Sequence, residues 1–155
     1  MFLKSLVNAW GEDAAFAYFD QLSSNILQYT SSGSGPVNAV IRGEAAIGLG
    51  MTAQAFTQKR DAGATYDITY FQEGAPYAAY GFSIIEGKQN RQCVKDVFGY
   101  LHNTLIAQNS QKFFPEPIYQ GKTFDVEGYP QNIPYSDMRG DTPEEKERLL
   151  AKWQY

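Results

Sequence analysis

The chain of 155 residues contains a single cysteine, Cys93. One cysteine excludes an intramolecular disulfide and a metal cluster built from thiolates, and we expect Cys93 to be a small buried hydrophobic residue. No apolar run approaches the ~20 residues that span a bilayer, and residues 1–7 are too short for the apolar region of a signal peptide. No Lys/Arg cluster is long enough to follow a phosphate backbone, so we expect no nucleic-acid partner.

The composition is that of a folding chain, with 43% hydrophobic and 15% aromatic residues. Helical spacing of apolar residues and capping signals predict helices over residues 12–27, 37–42, 52–59, 90–105 and 142–150. Apolar and aromatic runs bounded by glycine or proline predict strands over residues 45–51, 66–71 and 77–85. This order of elements predicts an α/β fold with a parallel or mixed sheet covered by helices.

The C-terminal part has a different texture, since five of the seven prolines follow Ser110. Residues 113–135 show little periodicity, which predicts an extended wrapping segment. Thr142 then precedes Pro143, and Glu145 stands at the third helical position. These are the signals of a helix N-terminus with Thr142 as its cap. Asn90 and Thr52 are the predicted caps of two earlier helices.

Two stretches, residues 29–49 and 73–101, carry a resemblance to a known family. The first contains Tyr-Thr-Ser-Ser-Gly-Ser-Gly followed by Val-Ile-Arg-Gly-Glu-Ala-Ala-Ile-Gly-Leu, and the second begins Glu-Gly-Ala-Pro-Tyr. In order and spacing these resemble extracellular solute-binding proteins of ABC transporters with the type II periplasmic fold. The branch is the one for iron(III), phosphonate, sugar-phosphate or polyamine uptake, although the chain lacks the adjacent tyrosines expected for iron(III).

The resemblance implies an incomplete protein, because family members run to about twice this length. Residues 1–72 would be a second-lobe ligand-binding segment, and residues 73–110 a hinge crossover strand and first-lobe helix. Residues 111–155 would be a proline-rich wrapping segment and C-terminal helix. The resemblance also implies a membrane permease as partner and an extracellular or periplasmic location for the full-length protein. Unpaired strands and helix faces in such a fragment predict a homodimer.

The candidate site for a small polar or anionic solute begins with a hydroxyl- and glycine-rich loop before a helix. Its donors suit an oxyanion, although Gly/Ser runs are commonly flexible surface linkers. The predicted hinge adds the carboxylate of Glu73 and the phenol of Tyr77. The alternative interpretation is that Glu73 is an exposed turn residue and Tyr77 a half-buried core residue. The candidate residues are Ser31, Ser32, Gly33, Ser34, Gly35, Thr52, Glu73 and Tyr77.

No cofactor, metal site or catalytic group is expected. His102 has no second His or Cys at metal-binding spacing, and the acidic residues near the C-terminus are typical of a solvated face. No Ser-His-Asp, Walker or Rossmann pattern is present, so we expect a binding protein and not an enzyme. Two alternatives stay open: a small α/β enzyme that uses the Ser/Gly loop as a phosphate cradle, and a non-catalytic oligomerising domain.

Overall fold

The computed structural model describes residues 1–113, 120–121 and 123–155, and the regular structure in this part of the chain is helical. It comprises α1 (Phe2–Trp10), α2 (Glu12–Leu22), α3 (Gly35–Ile41), α4 (Thr52–Ala62), α5 (Gln92–Tyr100), α6 (Ile106–Phe113) and α7 (Pro143–Ala151). A 3-10 turn, Ser23–Asn25, follows α2, and a π-helical turn, Leu101–Leu105, joins α5 to α6.

The main core lies between α1 and α2, which form a helical hairpin. Gly11 connects them with φ of 87°, a conformation that glycine adopts without a Cβ penalty. Leu6 on α1 packs with Ala15 and Phe19 on α2, and each of the three is 3% exposed or less. Burying a leucine or phenylalanine side chain contributes about 1.5–3 kcal/mol, so this hairpin is the main source of apolar stabilisation.

The C-terminal helix α7 closes over the hairpin. Thr142 caps it, because its Oγ1 accepts a hydrogen bond from the backbone N–H of Glu145 at 3.2 Å. Leu149 is 3% exposed, and the Trp153 ring lies 4.7 Å from the Phe19 ring in an edge-to-face arrangement. The helix and its threonine cap confirm the sequence-based prediction.

A second, smaller group of packing contacts lies on one side of α4. Phe56 is 4% exposed and packs edge-to-face against Tyr129, with ring centroids 5.1 Å apart. The Tyr66 hydroxyl donates to the Ala55 carbonyl at 2.6 Å. These contacts hold the residues that follow α4, and the loop near Tyr129, against one side of that helix.

The other predicted helices differ from the observed ones mainly at their ends. The helix predicted over residues 12–27 ends at Leu22, and the one predicted over residues 52–59 continues to Ala62. Met51 and Arg91, not Thr52 and Asn90, occupy the N-cap positions of α4 and α5, and neither makes a side-chain cap bond. Helix α1 was not predicted, because residues 1–7 alone are too few to show a helical period.

The predicted α/β fold is wrong. The described residues form no ladder over 45–51, 66–71 or 77–85, and their one β-bridge is isolated and joins Ala75 to Tyr135. Strand propensity is local, whereas a strand exists only when a second segment satisfies its backbone groups. Since a type II periplasmic fold needs a sheet, the identification with ABC-transporter solute-binding proteins is wrong as well.

The three-part division at residues 72 and 110 stays a prediction. Of the proline-rich segment, residues 114–119 and 122 lie outside the described part of the chain. The described remainder follows neither a helix nor a strand from residue 123 until α7 begins, which agrees with the low periodicity of this stretch.

Candidate functional site

The hydrogen bonds described for the Ser/Gly loop mostly join residues of the loop itself. Thr30 Oγ1 donates to the Ser32 carbonyl at 2.8 Å, and the Gly35 N–H donates to the same oxygen at 3.2 Å. The hydroxyls of Ser32 and Ser34 lie 3.4 Å apart, and residues 31–33 are exposed. A Cβ on Gly35 would lie 2.5 Å from the Thr30 Cβ, so only glycine fits there. The loop is therefore an ordered, solvent-facing turn.

This loop lies against the start of α4. A Cβ built on Gly33 would lie 3.3 Å from both Gln54 Oε1 and Met51 Sδ. Gln54 Oε1 is buried and has no hydrogen-bond partner among the described residues. Thr52 begins α4, and its Oγ1 accepts from the Tyr70 hydroxyl at 3.5 Å. The structure therefore brings the loop and the first turn of α4 together.

Glu73 makes its contact elsewhere, with α1. Its Oε1 accepts a hydrogen bond from Trp10 Nε1 at 3.1 Å. Tyr77 packs edge-to-face on Tyr135 with ring centroids 5.4 Å apart. The predicted site thus divides into a Ser/Gly-loop group on α4 and a second group beside α1 and Tyr135.

An ionic cluster between α7 and the hairpin was missed by sequence reasoning. Glu12 pairs with Arg148, at 2.7 Å, and with Lys152. Glu145, expected on a solvated face, accepts from Lys4 at 3.1 Å and from Arg148 at 2.7 Å. The signal available in the sequence was complementary charge, acidic in the first turn of α2 and basic in the last turn of α7.

These partners shift the titration of both carboxyls. The hydrogen bonds from Arg148 and then Lys152 lower the pKa of Glu12 to about 2. The hydrogen bonds from Arg148 and then Lys4 lower the pKa of Glu145 to about 2. Carboxyls with depressed pKa values favour the folded state once they are ionised.

We expect the docking of α7 to weaken in acid. The contribution of Glu12 and Glu145 is fully present above pH 4.5, the ordinary pKa of glutamate, and is lost as the pH falls toward 2. Trp153 fluorescence across this pH window measures the docking. Arg148→Gln should flatten the dependence, whereas Arg91→Gln, which removes the same charge far from both carboxyls in sequence, should leave it. An unchanged profile in Arg148→Gln would contradict the assignment.

The described residues contain no group of three or more His, Cys, Asp or Glu arranged to hold a metal ion. His102 Nδ1 lies 2.9 Å from Asn103 Oδ1.

Cys93 is exposed, so the expectation that it is buried was wrong. It stands on α5, a helix without buried residues. No helix in the described ranges combines the length and apolar character that crossing a bilayer requires.

Comparison with known proteins gives one informative relationship. The chain is similar to an uncharacterized protein of Haemophilus influenzae (strain ATCC 51907 / DSM 11121 / KW20 / Rd), with 39% identity over 170 residues. The similar region includes 97% of this chain and 45% of the relative, so the chain spans less than half the length of that protein. No protein-family model matches the chain, and no solved structure matches it.

Proposed function

We propose that this chain is a non-catalytic association module, a polypeptide whose apolar surface is covered by packing on another protein chain. The observation that supports it is an accessible surface area of 11069 Å². A compact monomer of 17.4 kDa exposes about 7,900 Å². The chain thus exposes about 3,200 Å² beyond what its mass requires.

The exposed surface is rich in large apolar side chains. The most exposed among them are Tyr80 at 89%, Ile47 at 82%, Ile85 at 77% and Leu27 at 62%. These side chains come from several parts of the chain. Soluble monomers rarely expose contiguous apolar patches above a few hundred Å². Each partner of a large obligate interface contributes roughly 1,000–2,500 Å². The excess on this chain is large enough to supply one side of such an interface.

Light scattering over a range of concentrations tests the module. We expect the chain alone to self-associate, with a mean mass that rises above 17.4 kDa as concentration increases. A constant monomer mass with a radius of gyration near the ~15 Å of a compact chain of this length would contradict the proposal.

Several sequence-based expectations are related to this proposal. A homodimer is the simplest self-associated form, because a closed twofold assembly buries the same patch on both chains. It stays a prediction, as do a membrane permease as partner, an extracellular or periplasmic location and the absence of catalysis.

Capture of a small polar solute at the Ser/Gly loop is a second candidate function. The buried, unpartnered Gln54 Oε1 beside Gly33 supports it, because a buried acceptor without a donor costs free energy that a bound hydroxyl or ammonium recovers. The hydroxyls of the exposed residues Ser31 and Ser32, and that of the half-buried Ser34, supply further polar contacts.

We expect replacement of both Ser32 and Ser34 by alanine to weaken an oxyanion bound at this loop by about 1–3 kcal/mol, through lost hydrogen bonds to a charged group. Stability should change little, because both hydroxyls are in exposed contacts. Calorimetry with inorganic phosphate measures the change, because its P–OH group can donate to Gln54 Oε1 while its other oxygens accept from the loop hydroxyls. Ser24→Ala, which removes an exposed hydroxyl outside the loop, is the matched control. Equal affinity in the double variant and the unmodified chain would remove the loop from the site.

A further inference from the structure

One face of α5 packs on its own chain. The residues on this face are half-buried and recur at helical spacing: Val94, Phe98 and Leu101, the last of them in the turn that follows α5. The Phe98 ring lies 4.7 Å from the ring of Phe82, which belongs to the run of residues 77–85. This face of the helix therefore rests on residues that precede it in the chain.

A second apolar face of α5 is open. Val97 is 59% exposed and Tyr100 is 55% exposed, and Cys93 is exposed as well. Each of the three stands one position before a residue of the packed face, so the open face lies about 100° around the helix from it. A helix that is apolar over so wide an arc is typical of a protein interior, yet none of the residues Gln92–Tyr100 is buried. The packing of α5 is therefore incomplete in the single chain.

The π-helical turn Leu101–Leu105 extends the open face. A π turn holds about one residue more than an α turn, because its hydrogen bonds join residues five apart instead of four. Leu105, which is 39% exposed, therefore lies where the fourth residue after Tyr100 would lie in an α-helix. The effective spacing along this face is that of a coiled-coil seam, in which steps of four and three residues alternate. We call the four residues the α5 stripe: Cys93, Val97, Tyr100 and Leu105.

Resting on the association module proposed above, we infer that the α5 stripe is the contact between two copies of this chain, packed as antiparallel helices about a twofold axis. A coiled-coil seam is filled by a helix with the same spacing, which a second copy of α5 supplies. A twofold axis buries the same stripe on both chains. A stable interface takes about 800 Å² from each partner, and the surface excess of about 3,200 Å² covers that need.

Charge and helix dipoles favour the antiparallel arrangement. It places Val97 opposite Tyr100 of the second copy. The two copies of Asp96, a charged residue beside the stripe, are then offset by about five residues, or ~8 Å along the helix axis, which is close to a Debye length at physiological salt. Antiparallel helices also place opposite dipole ends side by side. A parallel pair would instead hold both copies of Asp96 at the same height and align the dipoles.

Glutamate variants of the stripe test the contact. In the double variant Val97→Glu and Tyr100→Glu, the antiparallel pair brings the new carboxylates of the two copies together. We expect the dissociation constant of self-association, measured by sedimentation velocity, to rise at least about tenfold. Lys95→Glu is the matched control, because it changes the net charge by the same amount on the opposite face of α5. The control should associate as the unmodified chain does.

The outcomes separate this inference from the association module. Equal association of the double variant and the unmodified chain overturns the inference and leaves the module standing, because another face then makes the contact. An equally large weakening in Lys95→Glu also overturns the inference, because net charge then governs association. A constant monomer mass of the unmodified chain at every concentration removes the module, and the inference with it.

Disulfide trapping tests the arrangement without adding charge. In the variant Leu105→Cys, antiparallel pairing places the new thiol opposite Cys93 of the second copy. Within one chain the two thiols lie roughly 15 Å apart along the helix, whereas the Cα atoms of a disulfide lie within ~7 Å. Diamide is the oxidant, and it takes up the two electrons and two protons of each thiol pair. We expect a covalent dimer to form at least about tenfold faster in Leu105→Cys than in Lys95→Cys, whose new thiol is on the opposite face of α5.

Two results of the trapping contradict the inference. Equal rates in Leu105→Cys and Lys95→Cys mean that the stripe is not the contact. A covalent dimer of the unmodified chain that forms as fast as that of Leu105→Cys means that Cys93 meets its own copy, as in a parallel pair, and overturns the antiparallel arrangement.

Discussion

Replacing Phe19 by alanine is expected to lower the free energy of unfolding by about 3–5 kcal/mol, the range for truncating a buried aromatic side chain. Phe19 is 3% exposed at the centre of the hairpin core. Its ring packs against those of Phe2 at 5.9 Å, Tyr18 at 5.6 Å and Trp153 at 4.7 Å. The substitution leaves a cavity between α1, α2 and the residues after α7. Since small domains are stable by roughly 5–15 kcal/mol, the loss is a large fraction of the total.

Urea unfolding followed by circular dichroism measures this loss, and Phe71→Ala is the matched control. Phe71 is 41% exposed and packs on Phe2 with ring centroids 5.3 Å apart. Removing the same atoms from this partly exposed position should cost about 1 kcal/mol. Equal losses in the two variants would mean that the hairpin is not the core of the molecule.

The second large effect concerns the exposed run of residues 77–85. This run has no charged residue, and its most exposed large side chains are Tyr80 and Ile85. Such a run is a site for intermolecular contact. We expect the double variant Tyr80→Lys and Ile85→Lys to weaken self-association by at least about tenfold, because it removes two apolar contacts and introduces like charges across the interface.

Sedimentation velocity measures the dissociation constant of this self-association. The control variant, Gln21→Lys with Gln28→Lys, adds the same charge at exposed positions outside the run. A similar weakening in both variants would mean that net charge governs association, and that residues 77–85 are not part of the contact.

Helix signals in this sequence were reliable where they were local. Thr142, Pro143 and Glu145 predicted the start of α7, and the observed cap is the one expected. The predicted N-caps Thr52 and Asn90 each lie one residue away from the observed N-caps of α4 and α5, which make no side-chain cap bond. Helix α1 was missed because residues 1–7 alone are too few to show a helical period.

Strand signals failed because a strand depends on residues that are distant in sequence. Residues 66–70 have the expected alternation and strand-forming residue types, and they lie on α4 as a strand would. No described segment supplies the backbone hydrogen bonds that would make a ladder. Propensity can therefore be right about the character of a segment and wrong about the fold of the chain.

The candidate site stays a prediction, and the structure shows only which of its residues lie together. The Ser/Gly loop and the start of α4 do meet, at Gly33 and Gln54, although the sequence pattern singled out neither Gln54 nor Met51. Glu73 was assigned to the same site, but it binds Trp10 on α1. A helix that had not been predicted could not be considered as its partner.

The central claim is that this folded surface is completed by another polypeptide, and the melting temperature at different protein concentrations tests it most directly. Association links folding to mass action, so the native state is stabilised as concentration increases. The account predicts a melting temperature that rises steadily across a wide dilution series, with the Tyr80→Lys and Ile85→Lys variant showing a smaller rise. A melting temperature that is independent of concentration in the unmodified chain would contradict the claim.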